Sequence, residues 1–214
     1  MTSSSTFSAD CTKCSRIVSH LAYQKKRFST YYCKPVPAFG DSDARLLIVG
    51  LAPGLHGANA TGRPFTGDYA GVLLYQMLFQ FGFATQPVST SNNDTLQLKN
   101  CRITNAVKCL PPANKPTAEE VKNCNSYLYN ELCQLNSESV VLALGKIAHD
   151  AVLTAFGLSR RKYPFTHGGR YKLNSCLYLL DSYHCSRYNV QTKRLTQEQF
   201  QAVFEEVVSI LNRN

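Results

Sequence analysis

The sequence predicts an α/β fold: three layers, αβα, around a central, mostly parallel four-stranded sheet. Three observations carry this. Four short runs rich in Ile, Leu and Val, at residues 45–49, 102–107, 140–144 and 176–180, are apolar rather than alternating. That is the pattern of strands buried on both faces. Helical patterns lie between them, and two begin at capping boxes, Thr117 with Glu120 and Thr196 with Gln199. Strand–helix–strand repetition then gives a parallel sheet covered on both faces.

Residues 1–10 are Ser/Thr-rich and are expected to be disordered. Residues 11–214 are long enough for a single domain with its own core. The stretch from Cys11 to about Phe28 carries a CxxC and a basic, partly helical pattern. Helices are expected over 69–83, 117–135, 146–156 and 196–211. No internal repeat is present.

The chain has 214 residues, 44% of them hydrophobic and 17% charged, which excludes a disordered polymer. Lys and Arg number 23 against 14 Asp and Glu, a net charge of +9. That excess suits a polyanion, nucleic acid before a membrane surface, although a solvated basic surface carries the same signature. No stretch is long and apolar enough to span a bilayer, and the N-terminus lacks a signal-peptide core. A cytoplasmic location is expected, on the nucleoid if the cell is prokaryotic. In that reducing compartment nine cysteines are not a disulfide framework.

In open α/β sheets ligands bind beyond the carboxyl ends of the strands. Residues 50–68, 108–115, 145–146 and 181–189 follow the four expected strands, and they are the most unusual segments of the chain. The first reads GLAPGLHGANATGRPFTGD, with five glycines. It lacks both GxGxxG and the GK[ST] ending of a P-loop, which excludes those nucleotide sites. Asp68 suits either a helix N-cap or a catalytic acid. Asn105 sits inside an apolar strand, where an amide must find partners; it suits the edge of a pyrimidine or a nearby loop backbone. His184 ends the last strand, followed by Arg187, Lys193 and Arg194 with Tyr183 and Tyr188 among them, a mixture that suits a nucleic-acid strand.

Cys11 and Cys14 form the CxxC, Cys109 follows the second strand, and Cys124 shares a helix face with Val121, Leu128, Leu132 and Leu135. Cys133 cannot share that face. Four thiols brought together suit a [4Fe–4S] cluster or a structural zinc, while Cys109 and Cys124 could also be ordinary buried cysteines. Cys33, Cys101, Cys133, Cys176 and Cys185 read as packing or surface thiols.

Taken together these segments resemble the uracil-DNA glycosylase superfamily, most closely its family five, over residues 11–212. That family's first motif runs roughly GLAPAxHGxNxTGRxFTGD; here it is GLAPGLHGANATGRPFTGD. TNAVKCLPP, THGGRY (residues 166–171) and SYHCSRYN complete the likeness. Family four carries an acid after the loop's first glycine, where this chain has Leu51. Two departures are Gly54 in place of alanine and Cys185 in place of a proline that stiffens the loop entering the minor groove.

The resemblance implies hydrolysis of the N-glycosidic bond of uracil, and of other deaminated bases such as hypoxanthine, in single- or double-stranded DNA, leaving an abasic site. Asp68 would position water and oppose the sugar cation. His184 would stabilise the leaving base or a flanking phosphate, and Asn105 would hold the base edge. Gly50, Ala52, Pro53, Gly54 and Phe65 would form the base pocket, with Phe65 stacking on a flipped base. Ser186, Arg187, Lys193 and Arg194 would meet DNA. Arg63 joins them as a phosphate contact or else makes a structural ion pair, and His56 and Asn59 stand in a second tier. Cys11, Cys14, Cys109 and Cys124 match the ligands of a structural [4Fe–4S] cluster, and no catalytic metal is expected. A monomer without membrane contact is expected. The competing reading is a non-catalytic, metal- or cluster-bearing nucleic-acid-binding module.

Overall fold

The structure, a computed structural model, describes residues 7–135 and 138–212. Residues 1–6 of the expected disordered segment lie outside the described residues. The Phe7 ring stands edge-on to Tyr127, with centroids 5.8 Å apart.

In chain order the elements are Ser15–Arg27 (α1), Phe39–Gly40 (β1), Leu46–Gly50 (β2), Ala58–Thr61 (α2), Tyr69–Gln80 (α3), Cys101–Asn105 (β3), Ala118–Cys133 (α4), Ser139–Leu144 (β4), Lys146–Ala155 (α5), Arg170–Lys172 (β5), Leu177–Ser182 (β6), Arg187–Gln191 (α6) and Gln197–Leu211 (α7). Both capping boxes form. Thr117 Oγ1 accepts from Glu120 N at 3.2 Å while Glu120 Oε2 accepts from Thr117 N at 2.8 Å. Thr196 and Gln199 do the same for α7, at 3.2 and 2.9 Å. The expected helix 69–83 stops early, at Gln80. Phe81 and Phe83 continue the apolar pattern, but they pack on the core from a turn rather than from a helix.

The strands run β1-β3-β2-β4-β6-β5. The four in the middle are parallel, as expected. The sheet has six strands rather than four, because β1 and β5 add short antiparallel edges. Two and three residues long, they are too short to show a period in the sequence.

Side chains of the central strands alternate between two cores. Leu46, Ile48, Val140 and Leu142 face α3 and α7. Leu47, Val49, Val141 and Ala143 face α4 and α5. These are the two outer layers of the expected αβα arrangement. A third, smaller cluster joins Ile17 and Leu21 of α1 to Val107 and Leu110 beyond β3. Chain connections leave β2 and β4 in opposite directions, so the carboxyl ends of these neighbours form the crevice where such sheets bind ligands.

One buried ion pair fastens the segment after β3 to α4. Lys108, only 1% exposed, donates to both carboxylate oxygens of Glu131, at 2.9 and 2.7 Å, and to Thr104 Oγ1. Removing one partner strands the other charge in the core. Glu131→Ala should therefore cost about 3–5 kcal/mol, read as a lower urea midpoint.

Candidate active site

Beyond the carboxyl ends of β2, β3 and β6 lies an open cavity of about 420 Å³. Asp68, Asn105 and His184 all line it, together with Phe65, Ser186 and Arg187. Three segments far apart in sequence thus meet in one place.

The glycine-rich loop is shaped by close approach. Gly50 and Asn105 are register partners on the last rung of the β2–β3 ladder. A Cβ on Gly50 would fall 2.4 Å from Asn105 Oδ1 and 2.7 Å from the Phe65 ring. Phe65 itself has a left-handed backbone, φ 54°, an unfavourable state for an aromatic residue. Its ring lies 5.9 Å from that of His184, nearly parallel. A Cβ on Gly57 would meet Asp68 Oδ2 at 2.5 Å, so only glycine lets the loop pass this carboxylate.

Asp68 caps α3: its Oδ1 accepts from Gly71 N at 3.0 Å. Its Oδ2 points toward Gly54, where an added Cβ would lie 3.6 Å away. The cap read from the sequence therefore uses one oxygen and leaves the other facing Gly54. Burial raises the Asp68 pKa against the backbone N–H groups of Gly71 and Ala70, which lower it. Asn105 is 4% exposed, and its amide makes no intramolecular hydrogen bond among the described residues. The structural alternative, a bond to nearby loop backbone, is not formed. Burial lowers the His184 pKa to about 4, so its ring is neutral at pH 7.

A bracket behind the cavity supports His184. His149 and Asp181 are fully buried, with Nδ1 and Oδ1 2.7 Å apart. The other ring nitrogen faces Tyr163 O at 2.9 Å. Burial disfavours the charged imidazole, but Asp181 and the Tyr163 carbonyl outweigh it and raise the His149 pKa. This pair holds the 163–171 segment, which contains the THGGRY motif, against β6. From that segment His167 stacks on Tyr183 and accepts its backbone N–H at 3.2 Å.

Other sequence candidates fall in different places. Ala52 and Gly54 line the cavity; Pro53 and Gly50 are buried and do not line it. Ser186 caps α6, and Arg187 lies over the Tyr69 ring at 5.2 Å. Lys193 and Arg194 are exposed but do not line the cavity; Arg194 covers Tyr183 at 4.5 Å. Arg63 needs correction as a DNA contact. It is 5% exposed and is bound to Asp94 at 2.5 Å, to Ser89 Oγ and to Asn92 O. Burial works against the Asp94 carboxylate, yet Arg63 and three backbone N–H groups pull its pKa down to about 2. Arg63 pins the loop from inside. Asn59 is also structural, buried with its amide donating to Cys33 Sγ and Leu55 O. His56 is exposed and bonded to Tyr31. Cys185 does not sit on a DNA-facing loop tip: it is fully buried, its thiol donating to Ala70 O at 3.3 Å.

Asn114 was missed by the sequence reading. It lines the cavity from the segment after β3, and it and Ala113 both have left-handed backbones. The run PPAN carried the signal, since Asn tolerates that conformation better than most residues.

Cys11, Cys14, Cys109 and Cys124 line one second, largely apolar cavity, and no other cysteine does. Burial pushes the Cys109 thiol up, and the sulfurs of Cys124, Cys11 and Cys14 add to the shift. Lys108 N donates to Cys124 Sγ at 3.3 Å and Asn123 Nδ2 to Cys14 Sγ at 3.7 Å. Among the described residues, no three His, Cys, Asp or Glu side chains are gathered closely enough to hold a metal ion as they stand.

The geometry defines a pocketed α/β domain with an acid, an amide and an imidazole at its strand ends. Residues 37–208 match the family model described as Uracil DNA glycosylase superfamily, and the chain belongs to that superfamily. It is 46% identical over 201 residues to a type-5 uracil-DNA glycosylase of Thermus thermophilus, covering 92% of this chain and 91% of that one. It is 43% identical over 194 residues to one from Pyrobaculum aerophilum, covering 88% and 84%. A type-4 enzyme of Archaeoglobus fulgidus matches more narrowly, 36% identical over 124 residues, 58% of this chain and 54% of that one.

The pocket glycines separate two expectations. Gly50→Ala forces Asn105 and Phe65 aside and should lower stability by about 1–3 kcal/mol. Gly54→Ala meets only an ordinary contact and should leave the melting temperature almost unchanged. Thermal unfolding of the two variants checks both.

Proposed function

We propose that the chain is a DNA glycosylase that removes uracil, and other deaminated bases such as hypoxanthine, by hydrolysing the bond from base to sugar. One observation carries the reading: an amide that faces the cavity with no bond to the protein among the described residues, a neutral imidazole and a desolvated carboxylate share that cavity with an aromatic ring. A passive binding module has no need to hold a carboxylate and an imidazole where burial disfavours their charge. The target base must leave the duplex to enter. Asn105 offers it a donor and an acceptor, Phe65 offers a face, and Asn114 closes the rim. The small residues Ala52, Gly54 and Ala58 leave room for a purine as well as a pyrimidine.

As the C1′–N bond breaks, its electron pair goes to the base and positive charge builds on the sugar. A neutral His184 donates a hydrogen bond to the base as it becomes anionic. Asp68 Oδ2 opposes the sugar cation and orients the water that attacks C1′; that water's proton passes to solvent, and the base anion takes up a proton from solvent, so the products are the free base and a C1′ hydroxyl. Both interactions strengthen toward the transition state. Asp68→Asn keeps an oxygen for the Gly71 cap, so fold and abasic-DNA binding should persist. Single-turnover excision of uracil should slow by about 10²–10⁴-fold. Near-full activity in that variant would leave Asp68 with its cap alone. In the parent the rate should fall with acid at a pH above the ordinary 3.8 of an aspartate, because burial raises this pKa.

The Cys11, Cys14, Cys109 and Cys124 set fits a [4Fe–4S] cluster in donor chemistry, shared cavity and backbone N–H support of sulfur. Such a cluster would fix the N-terminal arm to the sheet. Protein purified without oxygen should be brown, with about four irons per chain. Cys124→Ala should lose the iron, and Cys133→Ala, which alters an exposed thiol, should keep it. Stoichiometric zinc in native protein would overturn the assignment.

A further inference from the structure

From Cys11 to Gly40 the chain has six lysines and arginines and no aspartate or glutamate. Arg16 is paired with Glu120 at 2.7 Å and Lys34 with Asp10 at 3.2 Å. Lys13 lies over the Tyr127 ring. The other three, Lys25, Lys26 and Arg27, are consecutive and exposed, and they fill the last turn of α1. None has a carboxylate partner among the described residues.

An aromatic cluster adjoins them. Phe28 and Tyr31 stack at 4.6 Å and 12°, and the Tyr31 hydroxyl is bonded to His56 Nδ1 at 2.8 Å. Lys25 Nζ donates to Tyr31 O at 2.5 Å. His56 belongs to the same loop as Gly54 and Ala58, which line the cavity. Tyr32 N and Cys33 N donate to Ala60 O and Asn59 O, both at 3.0 Å, fastening this segment along α2.

We propose that the last turn of α1, with the Phe28–Tyr31–His56 cluster, is a second DNA contact surface, continuous with the cavity wall and separate from the Arg187–Arg194 segment. Unpaired cations suit backbone phosphates, and adjoining rings suit bases or sugars. The inference rests on the glycosylase reading for its partner. It also gives the cysteine arm a purpose, since Cys14 is the N-cap of α1 and the helix ends at this surface.

The test compares the Lys25→Ala, Lys26→Ala, Arg27→Ala triple variant with a control that removes the same charge from exposed Lys99, Arg161 and Lys172, none of which lines the cavity. Alanine suits an exposed helix turn, and a Lys26→Ala, Arg27→Ala double variant keeps the Lys25 bond to Tyr31. Affinity for a duplex carrying an abasic-site analogue is measured against salt. The triple variant should flatten the slope of log K against log salt by about two to three and weaken binding roughly tenfold or more. The double variant should lie between it and the parent, and the control should follow the parent. An unchanged slope in the triple variant, or an equal loss in the control, overturns the surface. Uracil excision by the parent is followed separately. A parent that binds through α1 but excises nothing sinks the glycosylase reading and leaves the surface standing.

Discussion

The last rung of the β2–β3 ladder joins Gly50 to Asn105, and the volume a side chain would fill on Gly50 is taken by the Asn105 amide and the Phe65 ring. Much of the cavity follows from that close approach. The amide is held beneath the loop with no neighbour to bond. Phe65 must fold back across the strand end, which sets its left-handed backbone. Its carbonyl then lies so close to α3 that a Cβ on Gly71 would come within 1.7 Å of it. The helix start, and with it Asp68, is thereby fixed relative to the strand. Sheet register transmits through two ring and amide contacts to the position of an acid eighteen residues further along the chain.

Two of the groups lining the cavity, Asp68 and His184, are held where burial disfavours their charged forms. The Asn105 amide gives up bonds to the protein and faces the open cavity instead. A desolvated carboxylate and an imidazole kept neutral cost folding free energy. The two apolar cores on either side of the sheet offset these costs. What is gained is preorganisation. On the proposed mechanism the groups already face the place where charge would develop, so little reorientation would accompany the reaction. Asp68 shows how one residue serves both needs, since the N–H groups that its Oδ1 satisfies at the helix start also temper the burial of its charge.

The four central strands, both capping boxes and the convergence of Asp68, Asn105 and His184 were legible in the sequence. Each has a local signature or follows from the rule that ligands sit beyond strand carboxyl ends. The edge strands were not, because two or three residues carry no period. Arg63 was ambiguous because its partner, Asp94, lies thirty-one residues away in a loop whose own fold is set by that carboxylate. Cys185 misled for a related reason. The sequence places it in a polar, basic segment, yet the turn after β6 directs its thiol into the core against Ala70. Asn114 escaped because its side chain reaches the cavity only through two successive left-handed residues, Ala113 and Asn114 itself.

His184 is held by its backbone and neighbours rather than through its own ring nitrogens. Asn189 Nδ2 donates to its carbonyl at 2.8 Å, and Tyr183, one residue earlier, is clamped between His167 and Arg194. Further back, the His149–Asp181 pair ties β6 to α5 and to the Tyr163 carbonyl. Restraint applied to the main chain leaves both ring nitrogens of His184 available to a ligand. A side-chain bond to the protein would have occupied one of them and biased the tautomer. The same logic covers Asn105, whose backbone is fixed in the sheet while its amide is left unspent. In both residues rigidity comes from the fold and bonding capacity is left open toward the cavity, so on the proposed function most of the ordering entropy would be met before a substrate arrives.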